Sequence, residues 1–207
     1  MLIKIIVFDF DGTLVDSNKI KKDTFYNIFP PKYRCLINDT LNRVPETFTR
    51  LEIIKMIYLE IEKIYGIKHS NIELVLALNK YSKITNNKVS VCNEIKKAQS
   101  ILKFLKQNGI KIYLSSNTPV ENLVTIVKNR KWLNYFDDIF GKPNCKEQTV
   151  KNIIKNSSIN SQQVLIVGDG KSDESCSIIN NTQFYKIINK NSLAELELSL
   201  KLKLFNV

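Results

Sequence analysis

The sequence predicts an α/β protein in which a doubly wound parallel sheet carries a small all-helical insertion after its first strand. Two observations support this prediction. From about residue 110 onward, apolar strand-like runs alternate with helix-like segments, which is typical of a parallel sheet covered by helices. Between residues 17 and 88, helical patterns follow one another without a strand. We therefore expect a core of residues 1–16 and 89–207 and a helical domain of residues 17–88.

The individual elements follow from the spacing of apolar residues between turn signals. Strands are predicted where apolar and β-branched residues run together. They are residues 2–8, 110–116, 136–141, 163–170 and 182–188. Helices are predicted where apolar residues recur three and four positions apart. They are residues 17–29, 45–66, 71–84, 93–109, 119–130, 147–158 and 173–181.

The chain has an ordinary apolar content but a strongly basic charge balance. It contains 207 residues, of which 43% are hydrophobic, enough for one sizeable core and a smaller second one. The formal net charge of +11 indicates either an anionic partner or lysines spread over solvated surfaces. The lysines are dispersed, which favours the second interpretation. Because no basic surface with interleaved aromatic residues is evident, we expect no nucleic-acid partner.

The cysteines and the start of the chain predict a cytoplasmic protein. The four cysteines lie far apart and lack the histidines of a zinc site, which is typical of reduced cytosolic thiols. The apolar start is short, is interrupted by Lys4 and is followed by acids, unlike a signal peptide. No stretch is apolar for long enough to span a bilayer, so we expect no membrane association.

Polar side chains with related chemistry follow three of the predicted strands. Ligands of open parallel sheets bind beyond the carboxyl ends of the strands, so these side chains are expected to share one site. They are Asp9, Asp11 and Thr13, then Ser116 and Asn117, then Asp169 and Asp173, with Lys142 and Lys146 in a neighbouring loop. Carboxylates suit Mg²⁺, whereas lysine and hydroxyl groups suit phosphoryl oxygens. The set therefore predicts a site for a magnesium ion and a phosphate.

The same motifs resemble those of the haloacid dehalogenase-like hydrolase superfamily. "DFDGTLVDS" at residues 9–17, a strand ending in Ser116-Asn117, a later lysine and "VGDGKSD" at residues 167–173 match its four motifs in order. The similarity is greatest to the branch of phosphoglycolate phosphatase and beta-phosphoglucomutase, which carries a helical cap after the first motif. The resemblance implies a Rossmann-like core and a Mg²⁺-dependent phosphatase that hydrolyses a small phosphorylated metabolite through an aspartyl-phosphate.

The resemblance also implies a role for each acid. Asp9 would be the nucleophile, and a carboxylate with the ordinary pKa of about 4 is ionised at neutral pH and needs no base to activate it. Asp11 would protonate the leaving group and then activate water, and its backbone carbonyl would contact the metal. An acid at this position separates the phosphatases of the superfamily from its dehalogenases. Asp169 would bind the metal, and Asp173 would either bind the metal through water or hold the catalytic lysine.

The resemblance implies that the neutral residues of the motifs bind the phosphate. Ser116 would be a catalytic hydrogen-bond donor to the phosphoryl oxygens. Gly12, Thr13 and Asn117 would bind substrate near it. Backbone amides of the "DGT" turn would add donors, and Gly12 permits the turn itself.

The catalytic lysine has two candidates. Lys142 in "GKP" is similar to the "KP" of mutase-like members, but the chain continues with Asn144-Cys145 instead of a second proline and an acid. Lys146 fits a related pattern in which the lysine begins the following helix. We expect Lys146 to be catalytic and Lys142 to bind substrate. In the cap, Arg50 resembles an arginine that some relatives direct toward the substrate, and a solvent-facing helix position explains it equally well.

Alternative functions remain open from the sequence. A sugar phosphomutase of the same superfamily would use the same chemical residues, and the cap groups that would mark it are not evident. A receiver-like phospho-acceptor module also places acids and Mg²⁺ on a parallel sheet, but such modules are shorter and lack a comparable insertion. The sequence identifies neither the substrate nor the oligomeric state, and a monomer and a homodimer are both compatible with it.

Overall fold

The computed structural model describes residues 2–45 and 48–205 and confirms the predicted fold class. In this part of the chain, five parallel strands form one sheet. They are β1 (Ile5–Phe8), β2 (Lys111–Pro119), β3 (Asp138–Lys142), β4 (Val164–Gly168) and β5 (Gln183–Lys186). Their order is β3-β2-β1-β4-β5, so the chain leaves the central strand in both directions, as in a doubly wound sheet.

The described helices divide between two compact units. One unit contains residues 1–17 and 90–207, called the core unit here, and the other contains residues 18–89, called the helical unit. The helices are α1 (Asn18–Ile28), α2 (Arg34–Arg43), α3 (Arg50–Tyr65), α4 (Asn71–Val91), α5 (Ala98–Gln107), α6 (Val120–Asn129), α7 (Lys146–Ser157), α8 (Lys171–Ile179) and α9 (Ser192–Phe205).

The central strand β1 is buried along its whole length. Successive side chains of a strand point to opposite faces of the sheet. Ile5 and Val7 pack with apolar residues of α7 and α8. Ile6 and Phe8, which point to the other face, are also fully buried. Because both faces are covered, the polar side chains at the end of this strand lie at the edge of a closed apolar core.

The helical unit has an apolar core of its own. Ile54, Ile57 and Ile61 recur on one face of α3 and are fully buried. The ring centres of Phe25 on α1 and Tyr81 on α4 lie 4.8 Å apart in the same cluster. This burial at helical spacing explains why the insertion folds as helices.

Two helices of the structure, α2 and α9, were not predicted from the sequence. The buried residues of α2 are Leu36, Ile37 and Thr40, and only two of them are apolar, so the sequence offers few apolar residues from which to predict this helix. In α9, leucines alternate with other residues as in a strand, yet Leu193, Leu196 and Leu200 form one buried helical face. Among the described residues, no helix combines the length and the apolar character that a membrane span requires.

Candidate active site

Three acids meet where β1 and β4 end side by side. Asp9 directly follows β1, and its backbone amide donates a hydrogen bond to the Val167 carbonyl at 2.8 Å. Asp169 follows β4, and Asp173 lies in the first turn of α8. One carboxylate oxygen from each of the three acids lies within 4.8 Å of the other two. The adjacency of β1 and β4 thus brings together the three side chains predicted to bind a metal.

Lys146 is the first residue of α7 and is buried together with two of these acids. Its Nζ lies 2.7 Å from Oδ1 of Asp9 and 2.6 Å from Oδ1 of Asp173. Because Lys146 is only 6% exposed, water screens these ion pairs little. The other candidate, Lys142, ends β3 and is half-buried. The structure therefore places Lys146 against the predicted nucleophile.

The buried charges shift the pKa values of Asp173 and Lys146. Burial and the nearby Asp9 raise the pKa of Asp173 to about 7, although Lys146 acts in the opposite direction. Burial by itself lowers the pKa of Lys146, but the attraction of Asp9 and Asp173 outweighs it and raises the pKa above its usual value. The lysine is therefore charged at neutral pH, whereas Asp173 loses its proton near neutrality.

The cluster fits a divalent cation. When all three carboxylates are ionised, they and the one ammonium group carry a net charge of −2, in a site whose Asp9, Asp173 and Lys146 side chains are shielded from water. Carboxylate oxygens are the ligands that hard cations such as Mg²⁺ prefer. A cation at this place would also favour the ionised form of Asp173. The donor set and the excess of negative charge therefore both suit Mg²⁺.

The Asp11 side chain lies outside this acid cluster and contacts hydroxyl groups. Ser17 Oγ donates a hydrogen bond to its Oδ1 at 2.6 Å. Thr118 Oγ1 and Ser116 Oγ donate to its Oδ2 at 2.9 and 3.3 Å. The two aspartates of the first motif thus have different surroundings, because Asp9 pairs with a lysine and Asp11 with hydroxyls. The expected contact of the Asp11 backbone carbonyl with the metal stays a prediction.

The turn after Asp11 joins it to the acid cluster. Gly12 has a φ of 78°, in the left-handed region that glycine adopts without strain, and its amide donates to the Val15 carbonyl at 2.8 Å. Thr13 is fully buried, and its Oγ1 donates to Oδ1 of Asp169 at 3.5 Å. The Asn117 side chain is exposed on β2. Their predicted roles in substrate binding stay predictions.

Arg50 begins α3 and belongs to the helical unit. It is half-buried, and its guanidinium carbon lies 5.8 Å from the centre of the Tyr81 ring. This cation–π contact gives the side chain a structural role within its own unit. Contact between Arg50 and a substrate stays a prediction.

Ser17 and Thr118 contact Asp11 but were missed in the sequence analysis. Ser17 is the last residue of the first motif, six residues after Asp11. Thr118 lies two residues after Ser116, and side chains two apart on a strand share a face. That spacing predicts a hydroxyl on the same face as Ser116, but it does not predict the irregular pairing with β3 that brings the hydroxyl to Asp11.

Gly168 leaves room for the Asp173 carboxylate. A methyl group at position 168 would overlap Cγ and Oδ2 of Asp173. We expect Gly168→Ala to displace this carboxylate from Lys146 and to lower the free energy of unfolding by about 1–3 kcal/mol, the usual cost of overpacking. Urea denaturation followed by circular dichroism measures the change.

Gly170→Ala is the matched control for that substitution. Its new methyl group would meet Asp173 Oδ2 at 3.5 Å, an ordinary contact distance. We expect its free energy of unfolding to fall by less than about 1 kcal/mol, because Gly170 is the N-cap of α8 and alanine is a poorer N-cap than glycine. Equal losses in the two variants would show that crowding of Asp173 is not the cause.

Comparison with known protein families gives one match that covers most of the chain. A family model described as haloacid dehalogenase-like hydrolase matches residues 6–187. That range begins at the second residue of β1 and ends just after β5, so it includes all of the described sheet except Ile5. A search of the curated proteins finds no match.

Solved structures share this fold at low sequence identity. A predicted phosphoglycolate phosphatase from Haemophilus somnus is 16% identical, with a TM-score of 0.70 over 89% of this chain and 84% of its own. A protein assigned as a beta-phosphoglucomutase from Thermotoga maritima is 16% identical, with a TM-score of 0.66 over 93% and 91%. YfnB from Bacillus subtilis, assigned as a HAD-hydrolase and solved with magnesium, is 16% identical, with a TM-score of 0.67 over 97% and 100%.

Proposed function

The chain belongs to the haloacid dehalogenase-like hydrolase family, and on that premise we propose that it is a Mg²⁺-dependent phosphatase. We infer that it hydrolyses a small phosphorylated metabolite through an aspartyl-phosphate. The observation that carries the proposal is the contrast between the two aspartates of the first motif. Asp9 is paired with Lys146 beside two further acids, whereas hydroxyl groups hold Asp11 apart from them. Asp9 is then suited to attack phosphorus and Asp11 to transfer a proton.

In the proposed first step, an oxygen of Asp9 attacks phosphorus. The bond between this oxygen and phosphorus forms as the bond between phosphorus and the leaving alcohol breaks. Asp11 gives its proton to the alcohol oxygen, so no alkoxide has to leave. Lys146 orients Asp9 and offsets negative charge at the reacting group. Ser116 donates its hydroxyl to a phosphoryl oxygen.

In the proposed second step, water attacks the phosphorus of the aspartyl-phosphate. Asp11, now ionised, takes a proton from this water. The bond between Asp9 and phosphorus breaks, and inorganic phosphate leaves. Over both steps, one ester and one water become one alcohol and one phosphate. Asp9 and Asp11 return to their starting states.

Asp9, Asp169 and Asp173 would hold the magnesium ion. When bound, the ion supplies positive charge that neutralises the phosphoryl oxygens. The chain itself supplies the surroundings that make such charge effective, because Asp9, Asp173 and Lys146 are buried beneath the strand ends. Thr13 contributes by holding one oxygen of Asp169.

We expect the purified protein to release phosphate from p-nitrophenyl phosphate in the presence of Mg²⁺. Removal of the metal with EDTA should lower the rate by roughly 100-fold or more, because several kcal/mol of charge stabilisation are lost. Added Mg²⁺ should restore it. Undiminished hydrolysis in EDTA would contradict the metal dependence.

A panel of phosphorylated sugars, nucleotides and short acids then defines the substrate. Phosphate release from one class supports the proposed phosphatase and names its substrate. Formation of an isomerised sugar phosphate without free phosphate would instead favour the phosphomutase alternative. Absence of turnover on every ester of the panel, with p-nitrophenyl phosphate included, would contradict the proposed function.

A further inference from the structure

The carboxylate of Asp11 is held at both of its oxygens by hydroxyl groups of the core unit. Ser17 binds Oδ1 at 2.6 Å, and Thr118 binds Oδ2 at 2.9 Å. Ser17 and Thr118 are themselves buried, so these hydrogen bonds face little competition from water. A carboxylate that is anchored at both oxygens cannot turn freely about its Cβ–Cγ bond. Its direction is therefore set by the two hydroxyls.

An irregularity between β2 and β3 brings the Thr118 side chain to this place. Ser115 lies opposite Phe140, and Pro119 lies opposite Lys142. Three residues of β2 thus stand opposite the single residue Gly141 of β3. Bulges of this kind redirect side chains and are common beside active sites. Here the bulged segment carries the hydroxyls of residues 116 and 118 to Asp11.

Gly141 gives the bulged segment the space that it needs. A side chain at position 141 would overlap the Thr118 carbonyl oxygen and would lie 2.7 Å from the Val120 amide nitrogen. The backbone of residues 118–120 therefore packs directly on this glycine. The placement of Thr118 therefore depends on two adjacent strands. It requires the bulge in β2 and the absence of a side chain at position 141 of β3.

Ser116 and Thr118 differ in what else their hydroxyls do. Ser116 lies 3.3 Å from Oδ2 of Asp11, and its Oγ accepts a hydrogen bond from the Thr118 amide at 3.1 Å. A serine hydroxyl has one proton to donate. When Ser116 gives that proton to a phosphoryl oxygen, as in the proposed first step, it no longer donates to Asp11. Thr118 then continues to hold Oδ2.

We propose that Thr118 is a positioning residue that directs the Asp11 carboxylate toward the leaving group during phosphoryl transfer. This inference rests on the proposed function, because it concerns the residue proposed to protonate the leaving alcohol. The threonine contacts neither the phosphoryl group nor the alcohol in this scheme. It acts through Asp11. Its loss therefore lowers the rate most for a substrate whose leaving group needs a proton.

Two aryl phosphates of similar shape separate this role from a merely structural one. p-Nitrophenol is a stronger acid than phenol, so p-nitrophenyl phosphate needs little protonation of its leaving group and phenyl phosphate needs more. We expect Thr118→Val to lower kcat/KM for phenyl phosphate by roughly 10-fold or more, within the range of general acid catalysis. For p-nitrophenyl phosphate we expect a loss below about 3-fold. The parameter kcat/KM is used because it covers the steps up to departure of the phenol.

Two further variants complete the test. Thr118→Ser keeps the hydroxyl and should restore the wild-type ratio between the two esters. Thr125→Val makes the same chemical change on α6, where the hydroxyl donates to the Glu121 carbonyl at 2.7 Å outside the site, and should leave both values unchanged. Thermal unfolding confirms that each variant is folded.

The outcomes distinguish this inference from the function on which it rests. A selective loss on phenyl phosphate that serine rescues supports the positioning role. Equal losses on both esters, or no loss on either, overturn that role while wild-type turnover leaves the phosphatase proposal intact. If the wild-type protein hydrolyses neither ester, the proposed function fails and the role of Thr118 fails with it. If Thr118→Val does not fold, Thr118→Ala takes its place. The positioning role then requires a selective loss on phenyl phosphate in Thr118→Ala that is absent from Thr118→Ser.

Discussion

Asp9→Asn is expected to lower phosphomonoester hydrolysis by roughly 10³-fold or more, because an amide cannot form the aspartyl-phosphate. The substitution keeps the size of the side chain and leaves an oxygen that can accept from the Lys146 ammonium, which lies 2.7 Å from Asp9 Oδ1. It also removes one of two carboxylates that share a single lysine. We therefore expect the variant to fold, and release of p-nitrophenol in the presence of Mg²⁺ measures the loss.

Asp23→Asn is the matched control for the nucleophile. Asp23 lies in the helical unit and forms an exposed ion pair with Lys19 on α1, a kind of contact that contributes little to stability. Its variant should keep the wild-type rate. Intact-protein mass spectrometry after an acid quench adds a second measurement. A phosphate adduct that persists in Asp9→Asn would assign the nucleophile to another residue.

Lys146→Met is expected to cost about 3–5 kcal/mol of the free energy of unfolding in metal-free buffer, because it leaves buried carboxylates without their cation. Methionine preserves most of the length of the lysine stem, so the loss reports the charge more than the packing. Lys142→Met is the matched control, since Lys142 is half-buried at the end of β3. It should change stability by less than about 0.5 kcal/mol. Urea denaturation compares the two variants.

The loss in free energy of unfolding caused by Lys146→Met should also grow with pH. In the native chain the pKa of Asp173 is about 7, above its ordinary value of 3.8, so the folded state holds a proton that the unfolded state releases. Such a group reduces stability progressively as pH rises from about 4 to 7. Removal of the lysine raises the pKa of Asp173 further, because the opposing attraction is gone. A loss that is the same at pH 5 and pH 8 would contradict this account.

The acids of the site were predictable because the rule that places them is simple. The carboxyl ends of adjacent parallel strands lie side by side, so residues that follow two such strands meet. Asp9 and Asp169 follow β1 and β4 directly, and these strands are neighbours in the sheet. Asp173 is one helical turn further on, within the capping turn of α8. Each acid lies only a few residues after the end of its strand, so few other arrangements were possible.

Lys146 and Thr118 were harder to predict, because the first depends on where α7 begins and the second on a bulge in β2. Lys142 and Lys146 are four residues apart, and only the observed start of α7 at Lys146 decides which one reaches Asp9. Thr118 reaches Asp11 through the bulge opposite Gly141, and a bulge changes the count of residues on one strand without a consistent mark in the sequence.

The last helix was missed because two periodicities compete in its sequence. Leucines at 196, 198, 200 and 202 alternate with other residues as a half-buried strand would. The structure buries Leu196 and Leu200 and exposes Leu198 and Leu202, as a helix requires. Leucine, glutamate, lysine and alanine all favour helices, and packing of this segment on α5 agrees with that preference. Propensity and tertiary contacts therefore outweigh the alternation.

The excess of negative charge around Lys146 has a consequence outside the reaction. A ligand that binds the folded chain but not the unfolded one raises the folded population by an amount that depends on the ratio of its free concentration to its Kd. Asp9 meets Asp169 and Asp173 only in the folded chain, since Asp9 follows β1 and the other two acids follow β4. A divalent cation that occupies the cluster thereby makes the abundance of intact protein a function of ion supply. Folding and cation uptake then form a single linked equilibrium.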